Sequence, residues 1–130
     1  MKIRILFILT ISFALINVCR AQQSAAELLL PQGLLLDGSA QELRFSVTGV
    51  NWSYPTQKTY GAALAQVPGM LYFNPVVTEG LSNGYCEIRI SAHSKEELQT
   101  LLRSVFCTLD IQSVKLNQNA FDSCQLIVVP

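Results

Sequence analysis

Residues 85–105, YCEIRISAHSKEELQTLLRSV, contain the most regular strand pattern and the most regular helix pattern of the chain. Apolar and polar residues alternate from Tyr85 to Ala92, a period of two that is typical of a strand with one buried face. Ser94 and Glu97 then have the spacing of a capping box, which satisfies free amides at the start of a helix. The segment therefore predicts a strand followed by an amphipathic helix, whose apolar stripe is Leu98, Leu101, Leu102 and Val105.

A strand and a helix of the same kind are predicted upstream. Alternation from Glu42 to Thr48 predicts a strand, and a helix is expected to begin near Pro55. Pro68-Gly69 ends that helix. Its apolar stripe is Tyr60, Ala63, Leu64 and Val67.

Two further strands complete the pattern. Met70–Val77 is rich in strand-forming residues, although Pro75 cannot donate a hydrogen bond to a neighbouring strand and so predicts an edge position. A last strand is predicted near Gln112–Asn117, where apolar residues again alternate. Residues 42–118 therefore have the order βαββαβ.

This order predicts an α+β fold, a ferredoxin-like βαββαβ sandwich with a four-stranded antiparallel sheet and two helices on one face. Its usual strand order, 4-1-3-2, places the second strand at an edge, where Pro75 needs to be. The face opposite the helices is expected to be solvated, since it carries Arg44, Ser46, Glu87, Arg89, Ser113 and Lys115.

Three short motifs, Gly49-Val50, Ala63-Leu64 and Pro68-Gly69-Met70, resemble the heavy-metal-associated domain of copper chaperones and metal-transporting ATPases. The resemblance implies the ferredoxin-like fold and a metal-binding Cys-x-x-Cys loop after the first strand. Here Trp52 and Pro55 stand where that family has its two cysteines. Because soft cations such as Cu(I) need sulfur ligands, we expect neither a metal site nor a cofactor.

Residues 1–21 are predicted to be a signal peptide. Lys2 and Arg4 precede an apolar run, and cleavage is expected after Ala21. The run is shorter than the ~20 residues of a membrane-spanning helix, so no stable span is expected after cleavage. The predicted address is therefore periplasmic or secreted. A lipoprotein anchored through Cys19 is a disfavoured alternative, because bulkier residues precede it where small ones are expected.

Two segments flank the predicted domain. Residues 22–41 contain two leucine triplets separated by Pro31-Gln32-Gly33, and they are interpreted as a linker or as a strap packed on the domain. Residues 119–130 form a C-terminal tail, in which the apolar run Leu126–Val129 could add an extra strand.

Charge and motif content exclude several function classes. The chain has a formal net charge of zero, and removal of the predicted signal peptide takes away three of its nine basic residues, which leaves an excess of acid. Nucleic acid is therefore not expected as a partner. No catalytic triad, glycine-rich phosphate loop or metal-ligand cluster is apparent, and His93 is the single histidine, so we do not expect an enzyme.

The loop after the first predicted strand holds the candidate binding residues Asn51, Trp52 and Tyr54. Exposed aromatic side chains beside a helix N-terminus could anchor a partner protein or a small ligand. Alternatively, the same aromatics could fold over the end of the core.

Three functions remain open. The first is an exported, non-catalytic interaction module. The second is a metal-handling or redox protein that uses Cys107, Cys124 and Cys86, although a disulfide between Cys107 and Cys124 would leave too few thiols for a soft-metal site. The third is an envelope assembly component that docks through an edge strand.

Overall fold

A computed structural model describes residues 23–80 and 82–130. The predicted signal peptide, residues 1–21, lies outside them. The described elements are β1 (Ala25–Leu28), β2 (Gln41–Thr48), α1 (Tyr54–Leu64), β3 (Met70–Glu79), β4 (Asn83–Ile90), α2 (Lys95–Thr108), β5 (Ser113–Leu116), β6 (Asn119–Phe121) and a 3-10 turn at Cys124–Leu126.

The strands form one six-stranded mixed sheet in the order β3-β4-β2-β1-β5-β6. Neighbouring strands are antiparallel except β1 and β5, which are parallel. The prediction of a four-stranded antiparallel ferredoxin-like sheet is therefore wrong. The fold is α+β with two helices, but its sheet has two additional strands and one parallel pair.

The difference arises because the segment before β2 inserts as a strand between β2 and β5. Ser24 is buried at its start, where its Oγ donates to the carbonyl oxygen of Asp110 (2.5 Å) and accepts from the amide of Gln112 (3.0 Å). Gly49 passes so close to the backbone of Gln23 that a Cβ at this glycine would collide with the Gln23 carbonyl oxygen. These contacts hold residues 23–28 against the sheet.

The other additional strand, β6, extends the sheet beyond β5. A two-residue turn joins them, in which Asn117 and Gln118 both have positive φ (46° and 73°), as a tight hairpin of this hand requires. The Asn117 side chain also accepts a hydrogen bond from the amide of Leu30 (2.7 Å). The extra strand of the tail therefore lies at residues 119–121, not in the run 126–129.

The order β2-β4-β3 places β3 at an edge of the sheet, which confirms the edge position predicted from Pro75. Both helices pack on one face of the sheet, here called the covered face. The apolar residues of β2 and β4 point into this face, and Phe45 meets Phe106 of α2 edge-on with a ring separation of 5.0 Å.

The two helices bury different amounts of apolar surface. All four residues of the predicted stripe in α2 are buried, together with Phe106. In contrast, Leu64 is the only buried residue of α1, and Ala63 is exposed although it was predicted to lie in the apolar stripe. The C-terminal tail crosses α2, where Arg103 Nε donates to the Ile127 carbonyl oxygen at 2.9 Å.

Candidate functional surface

The structure separates the three candidate residues of the loop after β2. Trp52 is only 1% exposed and lies in the core. Its ring contacts Tyr60 of α1 edge-on at 6.1 Å between centroids and Phe73 of β3 at 6.4 Å. Trp52 therefore closes this end of the core, and its ring does not face solvent.

Asn51 and Tyr54 lie on the surface on either side of Trp52. The Asn51 side chain accepts a hydrogen bond from the amide of Ser53 (3.0 Å), which makes a tight turn before α1. Tyr54 is 71% exposed, and the ammonium of Lys58 lies 5.3 Å from the centre of its ring. Asn51 and Tyr54 thus remain available for contact with a partner, but without the tryptophan between them.

Burial also affects the chemistry of Tyr60, which lies beneath this loop. Partial burial raises the pKa of Tyr60 above its ordinary value, and the nearby Asp110 carboxylate raises that pKa further because it disfavours a second negative charge. Tyr60 is therefore a neutral packing residue at physiological pH.

The three cysteines of the described chain do not form one cluster. Cys107 and Cys124 form a disulfide with a Cα–Cα distance of 5.4 Å, which ties the tail to α2. Cys86 lies in β4 and is fully buried on the covered face. Burial raises the pKa of the Cys86 thiol to about 12, so this sulfur is a weak nucleophile and a poor metal ligand at neutral pH.

His93 lies at the start of α2, away from these cysteines. Its backbone amide donates to the Glu97 carboxylate (2.7 Å), and Ser94 Oγ accepts from the Glu97 amide (3.1 Å). The predicted capping box therefore forms, except that the Glu97 carboxylate accepts from the amide of His93, one residue before the N-cap Ser94. Residues 23–80 and 82–130 contain no group of three His, Cys, Asp or Glu side chains that could hold a metal ion.

Sequence reasoning missed the arrangement of the side chains on the face of the sheet opposite the helices. We call the central part of that surface the open face. It is formed by outward-facing residues of β2, β3 and β4: Glu42, Arg44, Tyr72, Tyr85, Glu87 and Arg89.

Each arginine of the open face lies within cation–π range of a tyrosine ring. The guanidinium of Arg44 lies 3.5 Å from the centre of the Tyr85 ring, and that of Arg89 lies 5.9 Å from the centre of the Tyr72 ring. Tyr72 is 50% exposed although it is a large aromatic residue. Arg44 is at stacking distance, and stacking holds an arginine side chain in place while leaving its N–H groups free to donate.

The charges of the open face are paired across the strands. Arg89 donates to Glu42 at 2.8 Å, and both side chains remain solvent-exposed. Arg44 lies directly opposite Glu87 in the register of β2 and β4. A shallow recess of about 230 Å³ lies among these residues. The surface therefore combines aromatic rings, fixed arginines and balanced charge.

The alternating pattern of β2 and β4 places both arginines on this face, but it gives no sign that they stack on tyrosines. That contact depends on the register between strands. The bulge between Met70 and Tyr72 sets the register of β3 and brings Tyr72 opposite Arg89. No composition or spacing signal in the chain contains this information.

None of the described helices is long and apolar enough to cross a bilayer. In comparisons with known proteins, no family model matches the chain, and no curated protein or solved structure gives a significant match. The comparisons thus identify no heavy-metal-associated domain, and that resemblance rests on the three short motifs alone.

Proposed function

We propose that this chain is an exported, non-catalytic interaction module that binds a protein partner through the open face. The observation that carries the proposal is the pairing of two arginines with tyrosine rings on a sheet face that neither described helix covers. Arginine and tyrosine are enriched among the residues that dominate the binding energy of protein interfaces. Because these side chains are already restricted in the free protein, they lose less conformational entropy when a partner binds.

The arrangement of the sulfur atoms gives little support to the metal or redox alternative. Cys107 and Cys124 are bonded to each other, and Cys86 lies in β4, buried within the core. A soft-metal site would require reduction of the disulfide and movement of a buried strand residue. The disulfide itself fits an oxidising compartment, which agrees with the proposed export.

The edges of the sheet are poor docking sites for an added strand, which is what the assembly alternative requires. Pro75 lies in the middle of β3, and register shifts occur near both ends of that strand. The other edge strand, β6, is only three residues long. Prolines, bulges and short strands are the features by which proteins block edge-to-edge pairing, so the open face is the better candidate.

Site-specific photo-crosslinking in the cells that naturally make the protein tests the proposal. A photoreactive phenylalanine derivative would replace Tyr72 on the open face, Tyr54 beside the loop or Leu126 in the tail. The last two positions are matched controls, because all three side chains are at least half exposed, at 50%, 71% and 59%.

We expect a discrete protein adduct from position 72 and none from position 126. An adduct from position 54 alone would transfer the binding role to the loop that contains Asn51 and Tyr54. Equal labelling at all three positions, or none at position 72, would contradict the proposal.

A further inference from the structure

The four central charges of the open face form a checkerboard. In the register of β2 and β4, Glu42 lies opposite Arg89, and Arg44 lies opposite Glu87. Along each strand the sign also alternates, because Glu42 and Arg44 are two residues apart and so are Glu87 and Arg89. Every charge in this square therefore has neighbours of opposite sign along both directions of the sheet.

A checkerboard of this kind is complementary to a second copy of itself. If two open faces meet about a two-fold axis that runs parallel to the strands between β2 and β4, Glu42 of each copy faces Arg89 of the other. In the same packing, Arg44 faces Glu87 of the other copy. The axis thus creates four pairs of opposite charge between the copies, and it places no like charges of the square together.

The charge balance also separates a second copy from other occupants. Nucleic acids and anionic membranes select surfaces with an excess of positive charge. The open face has two acidic and two basic residues at its centre. In the next row, Glu27 of β1 is likewise opposite Lys115 of β5.

The size of the surface suits a weak dimer. The strands β1 to β4 contain 4, 8, 10 and 8 residues, so with a rise of about 3.4 Å per residue and a spacing of about 4.8 Å they offer roughly 500 Å² per copy. Two such faces would bury about 1,000 Å², which is at the lower limit for a specific interface. Tyr72 adds exposed aromatic area at the rim.

We infer that the partner of the open face is a second copy of this chain, packed face to face about a two-fold axis parallel to β2 and β4. The inference rests on the proposed function, since it names the partner of the same surface. The resulting homodimer is weak and symmetric, and its charge pairs link Glu42 to Arg89 and Arg44 to Glu87 across the interface.

Sedimentation equilibrium of the purified protein, over about a hundredfold range of concentration, measures the association. We expect a reversible monomer–dimer equilibrium that weakens as salt is added, because salt screens exposed charges. Arg89→Glu should weaken the dimer at least about tenfold, since it places like charges opposite each other at two symmetry-related points.

The double charge swap Glu42→Arg with Arg89→Glu distinguishes the packing. About the proposed axis it restores opposite charges between the copies, so dimer affinity should return to within about threefold of the wild type. About an axis perpendicular to the strands, Glu42 would face Arg44, and the same swap would place two arginines together. A double swap that remains monomeric therefore overturns the inferred packing.

A swap of Lys58 and Glu96 is the control. It conserves net charge, and both exposed residues lie on the helices, on the other side of the sheet from the open face. Dimer affinity should change by less than about twofold. Loss of the dimer in this control would overturn the inference.

Failure of the inference and failure of the proposed function are distinguishable. A wild-type protein that stays monomeric at every concentration overturns the second copy as partner. The open face would still be the binding surface if position 72 crosslinks to a different protein in cells. If position 72 gives no adduct and the protein is monomeric, both proposals are overturned.

Discussion

The two faces of the sheet are built from alternate residues of the same strands, yet their side chains meet different surroundings. Phe45 is buried against Phe106 on the covered face, whereas its neighbour Arg44 lies in solvent over Tyr85. Burial of apolar surface provides most of the stability of a small domain, and exposed charges contribute little. The covered face therefore maintains the fold, which leaves the open face free to be selected for binding.

The largest expected effect is a difference in stability between two variants at neighbouring positions, one on each face of the sheet. Phe45→Ala should lower the free energy of unfolding by about 3–5 kcal/mol, because it leaves a cavity in the core. Arg44→Ala should lower it by no more than about 1 kcal/mol, the loss of an exposed stacking contact. Urea denaturation measures both, and similar losses for the two variants would contradict the division between the faces.

The disulfide, which anchors the tail to α2, should contribute nearly as much to the free energy of unfolding as the Phe45 side chain. It joins residues 17 positions apart, and closing a loop of this length in the unfolded chain corresponds to about 3 kcal/mol. The double variant Cys107→Ser with Cys124→Ser should lose that amount of stability. The wild type should lose the same when reduced, whereas the variant should not respond to reductant. A wild type equally stable with and without the disulfide would refute this role.

Cys86 provides a pH-dependent test of the covered face. Its folded pKa of about 12 lies above the ordinary value of 9.0, so the unfolded chain releases this proton at lower pH than the folded one. The contribution of the protonated Cys86 thiol to the free energy of unfolding is therefore fully present below pH 9 and is lost as the pH rises towards 12. Between pH 8 and 11 the wild type should lose about 2–3 kcal/mol more than Cys86→Ala.

The test compares the slopes of the free energy of unfolding against pH for the wild type and Cys86→Ala. Tyrosines and lysines titrate in both proteins, so their effect cancels in this comparison. Cys86→Ala also creates a small cavity, which lowers stability at every pH but leaves the slope unaffected. Equal slopes for the two proteins would show that the Cys86 thiol is not shielded from water.

The smallest effect is expected on the open face. A double-mutant cycle of Glu42→Ala and Arg89→Ala should give a coupling energy of about 0.2–1 kcal/mol, because both side chains are exposed at 76% and 49%. The coupling should decrease in high salt. The measurement is made at a concentration where the protein is monomeric. A coupling well above this range would mean that the pair stabilises the fold, which would weaken the case for a binding role.

Much of the fold could be predicted from local patterns. Periodicity identified both helices and three of the strands, residue composition identified a fourth, and Pro75 identified the edge. The insertion of β1 could not be predicted, because only Ala26 and Leu28 alternate there, and the leucines that follow obscure the period. What fixes β1 are contacts with residues more than 80 positions away, such as those of Ser24.

The proposed binding surface was harder to predict than the fold. In the loop after β2, no periodicity distinguishes the buried Trp52 from the exposed Tyr54, because side chains in a loop follow no regular alternation. On the open face, strand alternation correctly predicts that Arg44 and Arg89 are exposed. Their tyrosine partners depend on cross-strand register, which is a property of the assembled sheet.

Tyrosine footprinting with hydroxyl radicals tests the central claim most directly, namely that the open face is the surface engaged by a partner. Labelling of the protein in the cells that naturally make it is compared with labelling of the purified, dilute monomer. We predict that Tyr72 and Tyr85 become protected in the native setting while Tyr54 is labelled equally in both. Protection of Tyr54 with unchanged labelling of Tyr72 and Tyr85 would contradict the claim.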